Sequence, residues 1–385
     1  MKYQRLIDKP TKSFFLFGAR GTGKSTWLRD EFNGALWIDL LDEKRYQTYL
    51  ARPEEFLQAV QAAPREQWIV VDEIQRLPNL LNYVHRFIES DKRKFALCGS
   101  SARKLKQAGT NLLAGRATRR NMYPLVPNEM GRDFDLEEVL TYGSIPLVWQ
   151  SENKRESLED YAQMYLREEI QAEALVRNLP AFARFLPVAA LLHGQVLSIS
   201  SLARDAEAHR NTVAGYIEIL EDTLVAFRLA PFQGNIRIKE KRHPKLYFID
   251  SGLVRSLKKN LYPIAPEERG SLFEGWFVNY VRAMGEYNHL FDEMNYWAPT
   301  SSKVEVDLIL TRNKDRIAIE IKSGTRIRPE DFSGLEAIAS LKGIKRRIML
   351  YQGSEFRNKD GIEIIPIQKF LDDDSINRLW LSRST

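Results

Sequence analysis

Phe14 to Trp27 reads Phe-Phe-Leu-Phe-Gly-Ala-Arg-Gly-Thr-Gly-Lys-Ser-Thr-Trp: an apolar run, a glycine-rich turn, then the start of a helical pattern. The spacing G-x-x-x-x-G-K-S, from Gly18 to Ser25, is that of a P-loop, and the flanking strand and helix are the context it requires. Glycines let successive backbone N–H groups curl around a β-phosphate with no Cβ in the way. Lys24 then reaches the β/γ oxygens, Ser25 ligates Mg²⁺, and the next helix turns its positive end to the anion. Gly18, Gly21, Thr22, Gly23, Lys24, Ser25 and Thr26 are therefore expected around ATP and its Mg²⁺. The alternative is an ordinary glycine-rich strand-to-helix turn, which the intact context disfavours.

Further along, Gly34–Leu40 suits a short buried parallel strand, and a helical stretch follows around Pro53 to Ala63. Gln67-Trp-Ile-Val-Val-Asp72-Glu73 is a buried strand delivering two acids at its carboxyl end. Asp72 is expected to bind Mg²⁺ through its water shell and Glu73 to orient and deprotonate the attacking water. Two acids capping the next helix is the competing reading. Lys94-Phe-Ala-Leu-Cys-Gly-Ser100-Ser101 is another strand, ending where a γ-phosphate sensor belongs. Ser100 or Ser101 is the candidate hydroxyl, against a plain helix cap. Arg116, in Leu112-Leu-Ala-Gly-Arg116, could reach the γ-phosphate of a neighbouring subunit and stabilise transition-state charge, or it could be an ordinary surface arginine.

Composition bounds the rest. At 385 residues the chain suggests two or three domains, with a hydrophobic fraction of 44% and a charged fraction of 28%, ordinary for folded protein. The 57 Lys and Arg against 51 acids leave a net charge of +6, compatible with nucleic acid without being diagnostic of it. One cysteine, Cys98, excludes an intramolecular disulfide framework; its setting reads as a small buried apolar residue in a reducing compartment. Met1 to Lys12 has no apolar leader, and no window approaches a membrane span, so a soluble cytoplasmic protein is expected.

Gly18 to Ser25, Val70-Val-Asp72-Glu73, Gly99-Ser-Ser-Ala-Arg103-Lys-Leu and Leu113-Ala-Gly-Arg116 together resemble the prokaryotic AAA-type ATPases that carry a C-terminal domain of unassigned role. The resemblance implies that the Gly-Ser segment is the sensor and that Leu-Ala-Gly-Arg lies near a subunit interface. It also implies a homo-oligomer, a ring of which a hexamer is one form. Relatives usually read Gly-Gly-Leu-Pro where this chain has Gly143-Ser144-Ile145-Pro146, a conservative departure.

The pattern from Ser157 to Val176 is helical and suits a lid or connector. Ser198 to Glu221 reads as two short helices with a break near Ala208 to Asn211, sharing the apolar face Leu202, Ala206, Val213, Ile217 and Leu220. Leu224-Val-Ala-Phe-Arg-Leu then suits a wing strand, so the segment has a winged-helix pattern. If it reads DNA, His209, Arg210, Asn211 and Thr212 are the contacts, helped by the basic run Lys239-Glu-Lys241-Arg242-His243. Acidic Glu218, Glu221 and Asp222 restrict phosphate contact to the helix start. Winged helices also serve as protein-binding or lid modules, and that reading stays open.

Pro244 to Leu253 is a strand and turn that strengthens the AAA-type resemblance. Asp307 lies in the strand pattern Val304-Glu-Val-Asp307-Leu-Ile-Leu, and thirteen residues on comes Ile317-Ala-Ile-Glu320-Ile-Lys322. Glu320 and Lys322, two apart, project from one strand face, and Asp307 reaches over from the neighbouring strand. This arrangement resembles the PD-(D/E)xK nuclease fold, in which Glu274 matches the helical acid. The resemblance implies Mg²⁺ held by Glu274, Asp307 and Glu320, with Lys322 polarising or deprotonating water. A site that only grips DNA, or that serves for docking, is the alternative.

The fold class expected is α/β: a P-loop AAA-type parallel sheet over residues 1–130, a helical and winged-helix middle over 131–235, and a restriction-endonuclease-like α/β domain over 236–385. The leading function is ATP hydrolysis coupled to DNA remodelling or translocation, with metal-dependent cleavage as a possible addition. Branch migration at DNA junctions without cutting, and a nucleotide-controlled protein-binding switch, are the other readings.

Overall fold

The computed structural model describes residues 3–100, 113, 115–165, 170, 176, 178–234, 243–299, 304–372 and 375–381. Ser101, Arg103 and the basic residues Lys239, Lys241 and Arg242 lie outside them. The chain divides into two compact units, one of Met1–Leu125 with Ile145–Gln150 and Glu218–Val225, the other of Val126–Ser144, Ser151–Ile217 and Ala226–Thr385.

In the first unit, the described strands β1 (Phe14–Phe17), β2 (Leu36–Asp39), β3 (Ile69–Asp72), β4 (Phe95–Gly99) and β5 (Thr118–Asn121) form one parallel sheet in the order β2-β3-β4-β1-β5. The three central strands, β1, β3 and β4, are buried along their whole length. That explains why each reads as a continuous apolar run: a parallel sheet covered on both faces has no solvent side to alternate with. Phe15, Phe17, Val71 and Leu97 pack with Phe56, Val60, Leu81, Val84 and Phe87. Phe14, pointing the other way, meets Trp27 and Phe32 at ring-centroid distances of 6.3 and 5.6 Å. The edge strand β5 is Thr-Arg-Arg-Asn and partly exposed, which blunts it against further pairing.

In the second unit, the two short helices are Ile199–Asp205 and Arg210–Asp222, the latter running on into the first unit. Ser198 caps the first, accepting from the Ser201 N–H at 3.3 Å. The five residues expected to share an apolar face, Leu202, Ala206, Val213, Ile217 and Leu220, are all buried. Strands β6 (Gln195–Val196), β7 (Ala226–Leu229) and β8 (Lys245–Phe248) make an antiparallel sheet ordered β6-β8-β7. The boundary expected after residue 235 therefore falls inside this small sheet, because β8 closes it from the far side of that boundary.

The remaining described strands are β9 (Glu293–Trp297), β10 (Val306–Arg312), β11 (Asp315–Lys322), β12 (Ile344–Tyr351), β13 (Arg357–Lys359) and β14 (Ile362–Pro366). They form a mixed sheet ordered β13-β14-β12-β11-β10-β9. β10 runs antiparallel to β9 and β11, whereas β11, β12 and β14 run parallel. The long helix Pro266–Tyr287 is started by a proline in its first turn and buries Phe273, Phe277, Val281 and Met284. Val306, Ile309, Ala318, Leu335 and Met349 belong to the core of this sheet.

Candidate functional site

The nucleotide motifs meet at the carboxyl end of the parallel sheet. Phe17, which precedes Gly18, stands level with Gly99, which precedes Ser100; Val71, which precedes Asp72, stands level with Leu97. Parallel strands in this register send the P-loop, Asp72-Glu73 and Ser100 out at the same carboxyl ends, the place where open α/β sheets bind ligands. Gly21 and Gly23 adopt φ of +77° and +90°, which only glycine takes without strain. Gly23 precedes the helix Lys24–Glu31, whose first N–H groups have no side-chain cap. Lys24 is buried and donates to the carbonyls of Gly18 at 2.7 Å and Ala19 at 3.1 Å. Buried Thr22 turns its hydroxyl inward to the Ala19 carbonyl at 2.8 Å, so it shapes the loop. Ser25 is half-buried and Thr26 exposed.

Beside the loop lies a cleft of about 710 Å³ lined by Arg5, Gly23, Thr26, Arg29, Pro146 and Gln150, among others. Arg5 reaches over the loop from the N-terminal segment, donating to the carbonyls of Thr22 and Tyr123 at 2.6 Å each. Nothing in the sequence motif signalled this arginine.

Asp72 is buried, with one oxygen accepting the Glu73 N–H at 3.1 Å. Glu73 has φ 56° and ψ 43°, a left-handed backbone uncommon outside glycine. Its carboxylate accepts from Gln75, whose amide also donates to Ser100 Oγ at 3.2 Å. Gln75 is fully buried and was missed in the sequence; its place two residues beyond the acidic pair is the only signal. Burial, with Asp72 alongside, pushes the Cys98 thiol well above its usual pKa, so the sole cysteine is inert. Arg116 pairs with Glu89 at the surface of its own unit.

His209, Arg210, Asn211 and Thr212 are all exposed at the start of the helix Arg210–Asp222.

In the second unit, two residues of the nuclease-like pattern, Glu274 and Asp307, gather around a side chain that the pattern does not contain, while Glu320 pairs with Lys322. Lys245 on β8 is buried, with its ammonium 3.0 Å from Glu274 Oε1, 3.2 Å from Glu305 Oε1 and 3.5 Å from Asp307 Oδ1. Tyr247, two residues on and so on the same strand face, donates to Glu274 Oε1 at 2.5 Å. Asp307 Oδ2 accepts the Ile321 N–H at 2.9 Å. Glu320 Oε1 accepts from Lys322 at 2.8 Å, and Lys322 lies 3.7 Å from Asp331. Burial, then Asp307, raises Glu274 to a pKa of about 7. Burial, then Asp307, likewise holds Glu320 well above the carboxylate range. Burial alone would lower Lys245, but Glu274 and Asp307 hold it well above its ordinary value.

The expected Mg²⁺ site of Glu274, Asp307 and Glu320 does not fit this arrangement. The inward oxygens of Glu274 and Asp307 are taken by a protein ammonium. Among the described residues there is no group of three His, Cys, Asp or Glu placed to hold a metal ion. Lys322 is engaged with the carboxylates of Glu320 and Asp331. Lys245, Tyr247 and Glu305 were missed; a lysine opening a buried strand, Lys-Leu-Tyr-Phe, was the signal available.

Residues 10–131 match the family model of an AAA domain, residues 133–262 a domain of unknown function (DUF8612), and residues 269–370 a domain of unknown function (DUF4143). The first unit thus carries an AAA-type P-loop domain. The uncharacterized proteins Rv2008c of Mycobacterium tuberculosis and Mb2031c of Mycobacterium bovis are each 26% identical over 320 residues, 81% of this chain and 71% of theirs. The Aeropyrum pernix ORC1 protein in complex with DNA aligns at TM-score 0.28 and 14% identity, covering 66% of this chain and 87% of that one. The replication initiator DnaA bound to AMPPCP and single-stranded DNA aligns at TM-score 0.26 and 14% identity, covering 55% and 82%. Among the described residues no helix is long and apolar enough to cross a membrane.

Proposed function

We propose that this chain hydrolyses ATP and couples the hydrolysis to remodelling of, or movement along, DNA. The observation that carries the reading is the meeting of the P-loop, Asp72-Glu73 and Ser100 at the carboxyl ends of the three central strands, with a cleft beside the P-loop at Gly23 and Thr26. The first N–H groups of the helix Lys24–Glu31, which have no side-chain cap, receive the phosphates, and Lys24 exchanges the Gly18 and Ala19 carbonyls for phosphate oxygens. The base and ribose lie in the cleft edged by Arg5 and Pro146. The Ser25 hydroxyl and Asp72 carboxylate are hard oxygen donors that suit Mg²⁺, which neutralises charge on the β- and γ-phosphates when bound. Glu73 takes the proton of the attacking water, and Ser100 reports the γ-phosphate. Arg116 acts on a neighbouring subunit's nucleotide in a homo-oligomeric ring, leaving its exposed ion pair with Glu89, which holds it only weakly.

The DNA part rests on the two short helices and antiparallel strands in winged-helix order, with His209, Arg210, Asn211 and Thr212 open to solvent at a helix start. Metal-dependent cleavage does not belong to this reading, because the Lys245 ammonium lies against Glu274 and Asp307, two of the three carboxylates that it would need.

Steady-state ATP hydrolysis with and without DNA tests both parts. Lys24→Ala is expected to lower hydrolysis about a hundredfold or more. DNA is expected to stimulate the unmodified protein, with an effect that falls steeply as salt rises. Unchanged hydrolysis in Lys24→Ala would sink the ATPase reading; hydrolysis indifferent to DNA at every salt concentration would sink the DNA reading.

A further inference from the structure

We propose that Lys245 is the resident cation of the C-terminal carboxylate cluster. It stands where the nuclease-like pattern would put a divalent metal, and so closes the site to Mg²⁺ and clamps the small β6-β8-β7 sheet to the six-stranded sheet. This inference is independent of the ATPase reading.

The ammonium meets three carboxylates from two separate segments: Glu274 on the long helix, and Glu305 and Asp307, two residues apart at the start of β10. A lysine has three N–H donors, and here three acceptors lie around it, so its hydrogen-bonding capacity is filled. Its side chain is 2% exposed, a burial that an ammonium tolerates only among opposing charges. The Tyr296 ring lies 5.6 Å from it. A divalent ion shared by Glu274 and Asp307 would sit within a few ångströms of this ammonium, and their repulsion would expel one of the two. The lysine is tethered to the site by its own strand, so it competes at a high effective concentration. Glu320, which the metal would also need, gives one oxygen to Lys322 and leaves Oε2 buried and unpaired.

The test is Mn²⁺ binding followed by electron paramagnetic resonance on the full chain, without nucleotide. The proteins compared are the unmodified chain, Asp307→Asn, Lys245→Met and the double variant Lys245→Met/Asp307→Asn, with thermal melting to establish folding. The unmodified chain and Asp307→Asn are expected to bind Mn²⁺ alike. Lys245→Met is expected to gain one site at least tenfold tighter than any in the unmodified chain, and the double variant to lose it. An ion held by the unmodified chain and lost in Asp307→Asn overturns the inference. So does a folded Lys245→Met that gains no ion. If Lys245→Met folds only when Mn²⁺ is supplied, the inference stands; if it folds under neither condition, the comparison of the unmodified chain with Asp307→Asn decides.

Discussion

Gln75 ties the carboxylate of Glu73 to the hydroxyl of Ser100, so the residue assigned to water activation and the residue assigned to γ-phosphate sensing share one buried amide. It contacts neither through the P-loop, so its loss should act on turnover and not on nucleotide affinity. Gln75→Leu is expected to lower kcat about tenfold with KM for ATP nearly unchanged, read from steady-state kinetics; a raised KM at constant kcat would contradict the assignment. At the same scale, His193 reports on acid stability. Its Nδ1 accepts the Phe248 N–H at 3.1 Å and its ring is buried against Gly275. Burial, with Lys258 nearby, lowers its pKa from 6.5 to about 3. The folded chain therefore keeps this imidazole neutral while the unfolded chain protonates it. The stability it contributes is present above pH 6.5 and lost as pH falls toward 3, by at most about 1.4 kcal/mol per pH unit. In His193→Asn, which retains an acceptor, urea unfolding should depend less steeply on pH between 6 and 4.5.

Elements carry the next level of constraint. The turn before Ile145 places Gly143 at φ +79°, where a Cβ would lie 1.9 Å from Asp250 Oδ1. Asp250 caps the helix Ser251–Leu257 through the Leu253 N–H and accepts the Ser144 N–H at 2.7 Å. Gly143→Ala would strain the backbone and break a buried cap together, so a loss of more than about 2 kcal/mol is expected in urea unfolding. The helix Arg210–Asp222 is polar at its exposed start and acidic at its end, which concentrates any phosphate contact in the first turn. Arg210→Glu should weaken DNA binding and lower the slope of log affinity against log salt by about 1. An unchanged slope would place DNA elsewhere.

On the scale of the whole molecule, the role given to Arg116 requires another copy of the chain. Arg116→Ala and Lys24→Ala should each be nearly inactive alone, yet a mixture should recover hydrolysis, because a Lys24→Ala subunit still presents Arg116 to an intact P-loop. Recovery absent at every mixing ratio would assign Arg116 to its surface pair with Glu89. Much of the fold was legible along the chain. β1, β3 and β4 read as apolar runs because a strand buried on both faces shows no alternation, and the P-loop is a local spacing that its own glycines enforce. The helix pair was legible because its apolar residues repeat at helical intervals. What stayed hidden were pairings between distant positions. Gln75 and Ser100 are 25 residues apart, and Lys245 is 29, 60 and 62 residues from its three carboxylates. The chain by itself determined which acids and bases exist and which strand faces they share. Only the packing of β8 against the long helix and β10 brought a lysine among Glu274, Glu305 and Asp307, because carboxylates buried together need a cation and the fold supplies one from a distant strand.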